Sequence, residues 1–178
     1  MNRCDDILLM AEYNQWMNVK VYDAAGKLPQ QELMADRKAF FGSLFGTLNH
    51  VAVADTIWLK RFAMHPAGHA ALDPMRTLAT PSSLDQALFA DFVALQSHRK
   101  LLDNVINGWA ASLREDDLDH TLEYTNTKGV VGRRKFSGLI LHFFNHQTHH
   151  RGQATTLLHQ AGQDVGVTDL VALIPNEI

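Results

Sequence analysis

The sequence predicts an all-α protein, an antiparallel four-helix bundle with a short hairpin-like excursion before its last long helix. Apolar residues recur at three- and four-residue steps in four long stretches. Breakers such as Gly26, Pro29, Pro66, Gly68 and Gly162 separate or end those stretches. The connections run to several residues, which suits antiparallel neighbours. At 178 residues the chain reads as one domain spanning 1–178, long enough for a sizeable core.

The first helix is expected from about Asp5 to Ala25, with Ile7, Ala11, Val21 and Ala25 on a stripe that polar Asn14 and Asn18 interrupt. The second, from about Asp36 to Met64, repeats Phe41, Leu44, Leu48, Val51, Trp58 and Phe62. Residues 66–81 read as a loop rich in Pro, Ala and Thr. Ser83 and Gln86 then have the spacing of a capping box, in which a hydroxyl and a side-chain amide satisfy the first free N–H groups. The third helix should follow along Leu84, Leu88, Leu95, Leu102, Val105, Trp109 and Leu113. Alternation at Thr121-Leu122-Glu123-Tyr124-Thr125, turn-like Asn126-Thr127-Lys128-Gly129 and extended Val130-Val131 predict the hairpin. The fourth helix is expected from Ser137 to about Gln160, and Thr168–Pro175 as a short helical turn packed back on the body.

Composition narrows the function classes. Hydrophobic residues make up 46% and charged residues 20%, which excludes a disordered chain. A formal charge of −3 lacks the positive footprint that neutralises phosphates, so nucleic acid is not expected as a partner. The first twenty residues carry only the short apolar run Ile7–Ala11, far below a secretory core or a membrane span. A cytoplasmic protein without membrane contact is the expectation. A lone Cys4 forms no internal disulfide and has no metal-ligand spacing.

Histidine is the outlier, with ten residues, five of them between His142 and His159. Advancing 100° per residue from His146, Leu139 and Leu157 fall at about +20°, His142 at −40°, His150 at +40° and Gln153 at −20°. Three imidazoles thus share the stripe that leucines mark as core-facing, and His149 lies on its edge. Imidazoles four residues apart on one face are stacked about 5–6 Å apart and can share a metal. Core packing with hydrogen-bonded rings is the competing account of the same spacing.

A metal needs a further ligand from another helix, and the remaining histidines differ in promise. His65 and His69 have the same spacing, but Pro66 and Gly68 break the helix between them, so the pair reads as loop surface. His98, among Gln96, Ser97, Arg99 and Lys100, reads as solvated, and His120 as surface at the hairpin start. His50 lies mid-helix on a face of small residues, Ser43, Gly46, Thr47 and Ala54. That face suits either a close helix approach or a ligand-sized cavity.

Three strings carry a family resemblance: Tyr13-Asn14-Gln15-Trp16-Met17-Asn18; Phe41 through Val51 with Asp55 and Ile57-Trp58; and His146-Gln147-Thr148-His149-His150-Arg151-Gly152-Gln153, followed by Leu157-Leu158 and Thr168-Asp169-Leu170. Over nearly its whole length the chain resembles the DinB family of metal-binding four-helix bundles, also called DinB/YfiT-like. The resemblance implies a divalent metal ion, nickel or zinc, held by His50, His146 and His150, with other positions left to water or substrate. His142 with His146 is the alternative pair, and the Arg-Gly-Gln after His150 favours the later one. Gln153 would orient a ligating imidazole, Arg151 would form an ion pair with another helix or the hairpin, and Gly152 would mark a close helix contact.

Proteins similar in family include transferases and isomerases that use a low-molecular-weight thiol, and others considered hydrolases. A metal-dependent enzyme acting on a small molecule or thiol, as a homodimer, is therefore the implied function. A stress-linked metal-binding bundle without turnover is the alternative. No general base is evident beside the three histidines; Asp55 and Glu12 read as surface or interhelical pairs. Arg61, about 16 Å along the helix from His50, would stand at a cavity mouth or a solvated helix end.

Overall fold

A computed structural model describes residues 2–177. Among them the chain is mostly helical, with one small two-stranded sheet. The long helices are α1 (Arg3–Ala25), α3 (Leu44–Phe62), α5 (Phe92–Ser112) and α7 (Phe136–Gln160). Short helices α2 (Gln30–Met34), α4 (Asp73–Thr77) and α6 (Glu115–Leu118) lie in the connections. Strands β1 (Thr121–Thr125) and β2 (Val131–Lys135) pair antiparallel, with Thr121 opposite Lys135 and Thr125 opposite Val131.

Helix boundaries follow side-chain caps. Asn2 and Asp5 form a reciprocal capping box at the start of α1, Ser43 Oγ accepts the Gly46 N–H at the start of α3, and Asp91 accepts the Ala94 N–H at the start of α5. The hairpin sits where the alternation places it. Asn126 Oδ1 accepts the N–H groups of Lys128 and Val130 to close its turn, with Gly129 at φ 78°.

Two helix starts differ from expectation. The second long helix begins at Leu44 and not near Asp36, because residues 37–42 fold into a tight turn with Lys38 and Gly42 at positive φ. The third begins at Phe92 and not at Ser83. Gln86 Oε1 accepts the N–H and hydroxyl of Ser82, and the Asn49 side chain pairs with the backbone of 86–88, donating to the Gln86 carbonyl (2.8 Å) and accepting the Leu88 N–H (2.9 Å). That amide takes the place of the helical hydrogen bonds the segment forgoes.

Packing joins α1 to α5 and α7, and α3 to α5 and α7. Within the core Phe62 stacks on Trp109 at 5.1 Å between ring centroids and meets Phe136 edge-on at 5.2 Å. Full burial of such rings contributes roughly 1.5–3 kcal/mol each, and aromatic pairing somewhat more. The tail returns as a 3-10 turn at Leu170–Leu173, and Tyr13 donates its hydroxyl proton to the Thr168 carbonyl (2.7 Å). Among the described residues no helix is long and apolar enough to cross a membrane.

Candidate metal centre

His50 lies in the second turn of α3, and the turn before that helix supplies one wall of its surroundings. Phe41 stacks on the His50 ring at 3.9 Å and meets His150 edge-on at 5.5 Å. The chain can pass this close because position 46 is glycine: a Cβ there would lie 2.3 Å from the Phe41 carbonyl oxygen. The small-residue face of α3 is therefore met by the turn at 37–42. The periodicity assigns Phe41 to the helix and so misses it as a wall of the site.

Helix α7 brings His146 and His150 to the same point, one turn apart. Ring centroids are 4.3 Å apart for His146 and His150, 4.6 Å for His50 and His150, and 5.3 Å for His50 and His146. One nitrogen of each ring lies within 4.8 Å of the other two. His142 stays outside this group, exposed, with its ring edge-on to Trp58 at 5.2 Å and 6.0 Å from His146.

Hydrogen bonds fix the tautomers of two rings. His50 Nδ1 stands 2.8 Å from the Leu84 carbonyl, which only accepts, so Nδ1 carries the proton and Nε2 the lone pair. His150 Nδ1 stands 2.8 Å from Gln153 Oε1, and the Gln153 amide nitrogen faces His149 Nε2 at 3.3 Å, so again Nδ1 donates and Nε2 is left bare. His50 Nε2 is 3.4 Å from His146 Nε2. Burial, then neighbouring imidazoles, holds His146 down to about 3; burial also lowers His50 and His150. All three rings are neutral at pH 7.

The donor set fits a divalent ion. Two imidazole nitrogens at about 2.0–2.1 Å from a tetrahedral centre lie roughly 3.3 Å apart, close to the His50–His146 separation. The bare Nε2 atoms of His50 and His150 point into this space, where a cation would satisfy both lone pairs. The outward Nδ1–H groups of His50 and His150 are anchored on a carbonyl and an amide, the arrangement that orients metal-binding imidazoles.

Beside the histidines, a buried polar network crosses all four long helices. Asp55 (α3) pairs with Arg99 (α5) and accepts the Gln147 amide N–H (α7) at 2.8 Å. Arg99 Nη2 reaches Asp103 Oδ1 at 3.0 Å, and Asp103 accepts from Asn18 (2.8 Å) and Asn14 (3.3 Å) on α1. Asn14 in turn accepts from Arg151 on α7. Every side chain in this network is buried. The polar Asn14 and Asn18 on the apolar stripe of α1 were its trace in the sequence; Arg99, flanked by polar neighbours, gave none.

Several expectations need correction. Among the described residues Arg151 forms no ion pair: it donates to Asn14 and Thr148 and lies over the face of Tyr13, 5.3 Å away, because its direction around α7 points into the network. Gly152 is exposed, with open space where a Cβ would stand, so it marks no close contact. His98 is half-buried, its Nε2 3.1 Å from Thr56 Oγ1, rather than solvated. His65 and His69 are buried, not loop surface, because their rings turn in beside Asp117 of α6 while the turn between them, residues 66–68, stays exposed. Asp55 is an interhelical pair, as one of its two readings had it, and Glu12 is exposed. Arg61 lies over Trp58 and Tyr124 and donates to the Thr125 carbonyl (3.1 Å) at a cleft of about 450 Å³ that none of the three histidines lines.

The chain resembles known proteins along its length. A family model described as the DinB family matches residues 1–177. Protein DinB of Bacillus subtilis (strain 168) is 26% identical over 161 residues, covering 89% of this chain and 87% of that protein. No solved structure matches. With converging histidines on two helices and a family match from end to end, the chain belongs to the DinB family.

Proposed function

We propose that the chain is a divalent-metal protein, with nickel or zinc held by His50, His146 and His150, and that its four long helices form an antiparallel four-helix bundle around this site. The observation that carries the reading is the convergence of three neutral imidazoles, two with their lone pairs fixed inward by hydrogen bonds to Leu84 and Gln153. Three nitrogen ligands leave coordination positions open, the arrangement of a reactive site more than of a closed structural one. We read the chain as a metal-dependent enzyme of the thiol-dependent S-transferase or isomerase type, or a hydrolase, acting on a small molecule as a homodimer. An ion held there supplies Lewis acidity, acidifying a thiol or polarising a carbonyl.

The protein's own groups hold and shield. Leu84 and Gln153 keep His50 and His150 in the competent tautomer, and Phe41 closes one side against water by stacking on His50. The buried Asp55–Arg99–Gln147 set stiffens α3, α5 and α7 where they carry or support the histidines.

A second reading, a metal-binding bundle without turnover, draws on Asp55. Oδ2 of that buried carboxylate is held by Arg99 and Gln147, which turn the group into the network, and Oδ1 is buried without a partner among the described residues. Titrating the metal-loaded protein with small thiols and esters separates the two. A perturbed metal spectrum followed by turnover supports the enzyme, and a spectrum indifferent to every such compound supports the inert bundle.

A further inference from the structure

A second group of buried histidines lies past the other end of α3. His65 and His69 follow that helix, and Asp117 of α6 faces them; all three are buried. One donor atom from each lies within 4.8 Å of the other two. His120, half-buried, closes a further side with its ring edge-on to His65 at 4.7 Å.

The hydrogen bonds decide where the lone pairs point. Ser112 Oγ donates its proton to the Trp109 carbonyl (2.8 Å), so toward His69 Nδ1, 3.4 Å away, it only accepts. His69 Nδ1 therefore carries the ring proton, and Nε2 keeps a buried lone pair with no hydrogen-bond partner among the described residues. That lone pair faces Asp117 Oδ2 at 3.8 Å. A bare nitrogen and a carboxylate oxygen facing each other away from water repel, and 3.8 Å is too long for a hydrogen bond. Two ligands about 2.0–2.2 Å from one ion lie roughly 3.3–3.6 Å apart at tetrahedral angles, so a small closure would seat a cation between them. Arg114 does not fill the gap: its side chain reaches Oδ1 only, at 3.6 Å and from solvent, while its backbone N–H bonds Oδ2.

We propose that His65, His69 and Asp117 form a second divalent-cation site, suited by its two nitrogens and one carboxylate to a zinc-class ion and separate from the three-histidine centre. His69 Nε2 and Asp117 Oδ2 already face the gap. His65 now donates from Nε2 to the Asp117 carbonyl (3.2 Å) and accepts the Ala67 N–H at Nδ1 (3.1 Å). Ligation through Nε2 moves that ring proton to Nδ1 and releases the Ala67 N–H, on an exposed residue, to water. Burial lowers the pKa of both histidines, with Asp117 opposing the shift. An ion there would tie the loop after α3 to α6.

The test uses the full chain with His50→Ala and His146→Ala combined, which removes the first centre. Zinc titration against a chromophoric chelator should still find one bound equivalent, and zinc should raise the unfolding temperature. Adding His69→Ala, or the shape-preserving Asp117→Asn should the first fail to fold, should abolish both effects. The proposal is overturned if the double variant binds no zinc, or if binding survives both added substitutions. It is equally overturned if acidification to pH 5.5, but not zinc, stabilises the double variant, since a proton then bridges His69 and Asp117. Loss of one equivalent on making the double variant reports on the first centre alone, so failure at either site is read separately.

Discussion

Replacing Asp55 by Asn removes one charge from a network that contains two carboxylates, Asp55 and Asp103, and two guanidiniums, Arg99 and Arg151, all buried. The formal charges balance in the native protein. Asp55→Asn leaves an excess positive charge beside Arg99; the amide oxygen can still accept from Arg99 and Gln147 at the Oδ2 position, but it carries no charge, and the amide NH2 takes the Oδ1 position, which is buried without a partner among the described residues. Breaking a buried pair in this way costs about 3–5 kcal/mol, because the surviving charge keeps its desolvation penalty and loses its partner. For a chain of this size each kcal/mol moves the midpoint by about 2–4 °C, so the unfolding temperature should fall by roughly 6–20 °C. Thermal and urea unfolding followed by far-ultraviolet circular dichroism measure it. A loss below about 1 kcal/mol would refute the reasoning, showing that the network is screened by water and carries no more than a surface pair.

Two glycines on helices should respond with opposite sign. Gly46→Ala should destabilise by about 1–3 kcal/mol and weaken metal binding by displacing Phe41 from His50, whereas Gly152→Ala, facing open space, should stabilise by about 0.5–1 kcal/mol; urea midpoints of the same sign would contradict this. Gln153→Ala should weaken metal affinity by about 10–100-fold in chelator competition, since Gln153 fixes the His150 tautomer; unchanged affinity would remove it from that role. The metal-free protein should lose stability as pH falls from 7 to 5. Histidines held below 6.5 in the fold, His146 to about 3, take up protons first in the unfolded chain, so acid favours unfolding across this window. A midpoint that rises on acidification would show the sign to be wrong.

Much of the helical framework was legible because burial imposes its period: Leu44, Leu48, Val51 and Phe62 on α3, or Leu139, Phe143 and Leu157 on α7, recur at helical steps and are buried. The wheel also placed His146 and His150 on one stripe, and the tertiary structure brings His50 to them. What escaped notice depends on contacts distant in sequence. Leu84 and Leu88 keep helical spacing, yet the Asn49 side chain bonds the backbone of 86–88 and holds it out of a helix, and the Leu84 carbonyl meets His50. Pro66 and Gly68 correctly broke the helix around His65 and His69, but a broken helix says nothing of burial, and here both histidine side chains turn inward while residues 66–68 stay exposed. Arg99 left no signal of burial because its sequence neighbours are polar, whereas its partners Asp55 and Asp103 lie on the inner faces of α3 and α5.

The central claim is that His50, His146 and His150 bind one divalent ion together. Metal content of the purified chain by mass spectrometry, compared with His50→Ala after equal exposure to nickel or zinc, tests it most directly. The account predicts that His50→Ala, folded by circular dichroism, holds one equivalent fewer than the native protein. Equal metal content in the two would contradict it.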